Sequence, residues 1–84
     1  MRILGRIMRP VKNRDRTLAS FGRAVARIRN ERGLSQDRLA EKANLDRTYI
    51  SGIERGIRNP GIKTVVQIAR ALDVRVGQLC EGVD

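Results

Sequence analysis

The chain has 84 residues, of which eighteen are Lys or Arg and nine Asp or Glu, giving a formal charge of +9. That length holds one domain, whose core withdraws only about 60–65% of the unfolded surface from water, so a partner subunit would help to stabilise it. With one Cys and no His, an intramolecular disulfide and a zinc site are both excluded.

Apolar residues make up 40% of the chain but aromatics only 2%. The core must therefore come from Leu, Ile, Val and Ala, which suits short helices packed closely. Fifteen of the eighteen cations are Arg, whose planar fork matches phosphate and guanine edges where Lys cannot. Nucleic acid is the leading partner class, with an anionic membrane surface as the rival. No apolar run approaches the ~20 residues of a membrane span. The N-terminal segment lacks the continuous apolar stretch of a secretion signal, so a cytoplasmic location is expected.

Residues 1–16 read as a basic, poorly ordered arm in which Arg2, Arg6, Arg9, Lys12, Arg14 and Arg16 face only Asp15. It is either an arm reaching along DNA or a solvated tail, with Met8 as an alternative start. The domain proper is expected over 17–84. A first helix is predicted from Thr17, its candidate N-cap, to Glu31. Leu18, Phe21, Val25 and Ile28 form its apolar stripe, and Arg23, Arg27 and Arg32 its wet side. Gly33 supplies the positive φ that ends it.

Ser35 caps a second helix, Gln36 to Ala43, with Leu39, Ala40 and Ala43 inward. Asn44 tolerates the left-handed conformation of a sharp turn, and Leu45 packs into it. Asp46 caps a third helix, Arg47 to about Arg55, with Ile50 and Ile53 inward and Gly56 as its stop. After the loop 57–61, a fourth helix is expected to turn Ile62, Val65, Ile68, Ala69 and Leu72 inward. Asp73-Val74-Arg75 leads to a last helix, Val76 to about Glu81, with Leu79 inward. The predicted fold is all-α, with five helices and no strand.

Two short helices form a DNA-binding unit only when they cross closely at ~90–120°. Ala40 provides the small residue at the crossing, Asn44 the turn, and Leu45, Ile50 and Ile53 the apolar anchors. Together these identify a helix-turn-helix over residues 36–55. The run Leu34-Ser-Gln-Asp-Arg-Leu-Ala-Glu-Lys-Ala-Asn-Leu-Asp-Arg-Thr-Tyr-Ile-Ser-Gly-Ile-Glu-Arg-Gly56 resembles the Cro/cI, or XRE-type, helix-turn-helix regulators. The stretch from Asp46 to Arg55 followed by Arg58-Asn59 resembles the controller proteins of restriction–modification systems in particular.

The resemblance implies a lambda-repressor-like domain, dimeric on DNA, with the Arg47–Arg55 helix in the major groove. It implies a buried ion pair between Arg29 and Glu54, a grip on the DNA backbone by Gln36, and base contacts by Arg58. One departure is Arg38, which stands where many relatives carry Glu, leaving the Ser35 capping box incomplete.

Geometry sorts the remaining candidates. Arg47, Thr48 and Ser51 share the outward N-terminal face of the third helix, where side chains meet base edges, and Arg47 suits a bidentate guanine contact. Ser35 and Gln36 stand at a helix N-terminus, which favours phosphate. Arg55, Arg58 and Asn59 flank the groove. Tyr49 either donates to a phosphate or packs between helices. Gly52 either lets the helix approach DNA closely or is simply a tolerated small residue. Val74, Val76, Leu79, Cys80 and Val83 form an apolar C-terminal cluster read as the dimer surface, the alternative being packing on the fourth helix. Cys80 reads as a small hydrophobe rather than a reactive thiol.

The expected partners are double-stranded DNA and a second copy of the chain, with RNA polymerase as a further partner. The operator should be pseudo-palindromic, with half-sites ~34 Å apart. No cofactor, metal, small-molecule ligand or membrane is expected. An antitoxin is the competing reading, but the basic segment 1–16 is the only spare length for binding a toxin. An enzyme is excluded by the lack of His, of a nucleophile with a base, and of a phosphate-binding loop.

Overall fold

Five helices follow one another without a strand among residues 15–83, which are those the computed structural model describes: α1 Arg16–Glu31, α2 Gln36–Ala43, α3 Arg47–Glu54, α4 Ile62–Leu72 and α5 Val76–Leu79. Residues 1–14 of the expected arm, and Asp84, lie outside the described residues.

The start of α1 corrects the expected cap. Asp15, not Thr17, holds the extended N-cap conformation, and its Oδ1 accepts a hydrogen bond from the Leu18 backbone N–H at 3.1 Å. A carboxylate there also meets the positive end of the helix dipole. Ser35 and Asp46 cap α2 and α3 as expected, accepting from the backbone N–H groups of Arg38 and Thr48 at 3.0 and 3.1 Å.

Helices α1 to α4 all stop by one device. Just past each helix stands a residue with positive φ: Gly33 (70°), Asn44 (58°), Gly56 (78°) and Asp73 (59°). The following N–H then reaches back to a carbonyl five residues earlier. These bonds run from Leu34 to Arg29, Leu45 to Ala40, Ile57 to Gly52 and Val74 to Ala69, at 2.9–3.0 Å. The paired bonds satisfy carbonyls that the helix end would otherwise leave open.

All five helices contribute to one core. Val25, Leu39, Ile50, Ile53, Ile68, Leu72 and Leu79 are its largest fully enclosed side chains, each contributing about 1.5–3 kcal/mol by leaving water. Leu18 is only half-buried. Ile62 departs further from expectation, at 69% exposed. It opens α4 beside the exposed 57–61 loop, before the helix reaches the core; periodicity reports direction around an axis but not position along it. The Gln67 side chain ties α4 to α2 by donating from Nε2 to the Ala43 carbonyl at 3.1 Å.

Helices α1 and α3 approach closely enough for their backbones to touch at one glycine. Gly22 is buried, and a Cβ there would overlap the carbonyl oxygen of Ile53 and lie 2.6 Å from that of Glu54. A glycine at this position of α1 lets the two helices touch.

Candidate nucleic-acid interface

Helix α3 is held by its inner face and open on its outer one. Ile50 and Ile53 are buried, while Arg47 and Thr48 are exposed and Ser51 is half-exposed. The expected reading residues of α3 thus share one accessible face. Arg47 points back toward the start of α2, where its Nε stands 3.3 Å from Asp37 Oδ1; these side chains are 61% and 75% exposed. A pair so open to water stabilises the fold by at most about 1 kcal/mol, so Arg47 is lightly held. Nothing in the sequence reading pointed to Asp37.

The opposite end of α3 is fixed by charge. Arg29 forks Glu54 with two bonds, Nε to Oε2 at 2.6 Å and Nη2 to Oε1 at 3.0 Å, and its Nη1 donates to the Leu34 carbonyl at 2.8 Å. The side chains are 13% and 7% exposed, so the implied pair is present and largely withdrawn from water. The hydrogen bond from Arg29 to Glu54 raises the Arg29 pKa above its ordinary value, against a smaller opposing effect of burial. All three guanidinium nitrogens and both carboxylate oxygens have a hydrogen-bond partner, as such a pair requires.

Gln36 joins the same cluster: its Nε2 donates to Glu54 Oε1 at 2.9 Å. One of the two amide hydrogens of Gln36 is thus engaged within the chain. Ser35 is exposed, and its Oγ is engaged in capping. Arg38, which replaces the missing capping-box acid, pairs with Glu41 at 3.4 Å. Arg55, Arg58 and Asn59 are exposed beyond the end of α3, and Tyr49 is half-buried against the core.

Gly52 is more than a tolerated small residue. The space beside it is filled by the Arg58 side chain, whose Cγ would be 2.6 Å from a Cβ at that position. The Arg58 guanidinium carbon stands 6.0 Å from the centre of the Tyr49 ring.

The C-terminal cluster divides. Val74, Val76, Cys80 and Val83 pack on the core yet remain half-exposed. Leu79 is 0% exposed within the single chain, so it belongs to the domain's own core and cannot form a dimer surface. The segment after α5 is drawn toward α1 by a bond from Ser20 Oγ to the Gly82 carbonyl at 3.4 Å. Among the described residues no helix is long and apolar enough to cross a membrane, and no three His, Cys, Asp or Glu side chains gather to hold a metal ion.

A short helix wedged across another by a left-handed Asn turn, with a polar outer face beside Arg residues, defines a DNA-binding helix-turn-helix domain. The family model described as helix-turn-helix matches residues 25–79, and the chain belongs to that family. It is 42% identical over 62 residues to the control protein C.BamHI of Bacillus amyloliquefaciens, covering 73% of this chain and 76% of that protein. It is 45% identical over 60 residues to the immunity repressor of Bacillus phage phi105, covering 71% of this chain but only 42% of the repressor's length. The restriction–modification controller protein C.Esp1396I, solved as a tetramer on its natural 35-base-pair operator, superposes with a TM-score of 0.76 at 42% identity, covering 82% of this chain and 91% of that one. That controller has also been solved with single substitutions at consecutive Arg, Thr and Tyr residues, the residue types and order of Arg47, Thr48 and Tyr49 here.

Proposed function

We propose that this protein is a sequence-specific transcriptional regulator that binds a pseudo-palindromic operator as a homodimer, and that it is the controller of a restriction–modification system. The observation that carries this reading is the accessible face of α3, presented on Ile50 and Ile53 and clamped through Glu54. The operator-bound relative of the same fold supports it.

In this reading Arg47, Thr48 and Ser51 meet base edges from α3, and Arg58 reaches bases from the loop that follows. Ser35, Gln36, Tyr49, Arg55 and Asn59 line the phosphates. Gln36 does so through its backbone N–H at the start of α2, while one hydrogen of its side-chain amide stays on Glu54. Such contacts set register without reading sequence. The dimer surface is formed by Val74, Val76, Cys80 and Val83. RNA polymerase is the partner through which a bound dimer alters transcription in the cytoplasm.

Selection of bound sites from random DNA, followed by titration at several salt concentrations, tests the proposal. A palindromic consensus is expected, with binding that falls steeply as salt displaces the Arg contacts. Arg47→Ala should weaken the selected site by about 1–3 kcal/mol and relax one position in each half-site. Equal affinity for every sequence would refute the reading.

A further inference from the structure

The outer side of α3 contains a seat for a residue that α3 does not itself supply. Gly52 is buried, yet what covers it is the Arg58 side chain. A Cβ at position 52 would lie 2.6 Å from Arg58 Cγ, 3.2 Å from Nε and 3.5 Å from Cδ. The aliphatic stem of Arg58 thus lies in the volume that any larger residue would fill. The turn directs it there: Gly56 reverses the chain at φ 78°, and the Ile57 N–H bonds back to the Gly52 carbonyl at 3.0 Å. One helical turn before Gly52, the Tyr49 ring lies 6.0 Å from the guanidinium carbon, at the outer reach of cation–π attraction.

We propose that Gly52 and Tyr49 are positioning residues for Arg58, holding it against the reading face of α3 before DNA arrives. Gly52 acts by its empty side-chain volume and Tyr49 by the face of its ring. Arg58 then extends the recognition surface as though it were part of the helix. Ordering a long side chain in the free protein reduces the entropy that complex formation would otherwise cost. It also restricts which base edge the guanidinium can reach. The inference rests on the assignment of α3 as the DNA-reading helix.

The test uses the full chain, the operator selected by the wild-type protein, and single-base variants of that operator. Arg58→Ala should lower affinity roughly 5- to 150-fold and relax one position per half-site. Gly52→Ala should relax that same position while leaving the preference set by Arg47 intact. The double variant should be no less selective than Arg58→Ala alone, because both changes remove one interaction. Tyr49→Phe, which keeps the ring, should preserve the preference at the Arg58 position even where overall affinity falls; Tyr49→Leu should lose it. Arg58 is exposed and can swing aside, so Gly52→Ala should fold, with an unfolding midpoint at or above that of the wild type. Should it not fold, the contrast between Tyr49→Phe and Tyr49→Leu carries the test. Full preference at the Arg58 position in both Gly52→Ala and Tyr49→Leu would overturn the proposal. Loss of all base preference in the wild type would instead overturn the assignment of α3.

Discussion

Replacing Gly22 by alanine puts a methyl group into the contact between α1 and α3. The new carbon would overlap the Ile53 carbonyl oxygen and stand 2.6 Å from that of Glu54 and 2.9 Å from its carbonyl carbon. These are backbone atoms of a capped helix, so relief requires the helices to separate. Overpacking costs about 1–3 kcal/mol where side chains can yield, and the upper end applies here. Alanine returns about 1 kcal/mol through helix propensity, leaving a net loss of about 2 kcal/mol or more. For a domain of this size, that lowers Tm by roughly 8–16 °C. Urea and thermal unfolding, followed by circular dichroism at one fixed protein concentration, would measure it. Gly77→Ala serves as the control, because nothing lies within 4 Å of a Cβ at that position. Its midpoint should be unchanged or slightly raised. A Gly22→Ala midpoint equal to the wild type's would refute the close approach of α1 and α3.

Arg29→Ala removes both prongs of the fork on Glu54, a side chain only 7% exposed in the wild type, and leaves that carboxylate without a cation and with only the Gln36 amide bonded to it. The expected loss is about 3–5 kcal/mol, read as reduced helicity or an early urea transition; a change below 1 kcal/mol would mean that the pair holds little. Asp73→Gly should act in the opposite direction. It relieves a left-handed conformation in a non-glycine residue and removes a negative charge from the C-terminal end of α4, for a gain of about 1 kcal/mol. A lower urea midpoint in this variant would show that the aspartate side chain contributes more than it costs.

Much of this architecture could be read locally, because the informative residues act within a few positions of themselves. Gly33, Asn44 and Gly56 announce left-handed turns by residue type, and Ser35 and Asp46 announce caps. Asp73 performs the same role unannounced, since an Asp after a helix reads equally well as a connector. Asp15 was hidden inside an apparently basic arm, and Thr17 offered a competing cap two residues later. The features that escaped depend on which distant elements meet. Gly22 matters only because α3 crosses there, Gly52 only because the chain returns Arg58 to it, and Asp37 only because the α2–α3 turn brings Arg47 alongside. Leu79 and Ile62 show the same limit from the other side: both looked correctly apolar, but only the packed structure decides that one is sealed and the other is in water.

The shared manner in which α1 to α4 end bears on timing. Each reversal is specified by hydrogen bonds within six consecutive residues, so chain direction is settled before remote helices meet. Largely helical domains with such local organisation fold in microseconds to milliseconds. Ribosomes add roughly 5–20 residues each second, so these 84 residues alone occupy synthesis for seconds. Each copy should therefore be folded almost as soon as it leaves the ribosome. In the proposed dimer, the slow step toward the DNA-binding state would then be the accumulation of paired chains, set by expression level rather than by folding rate.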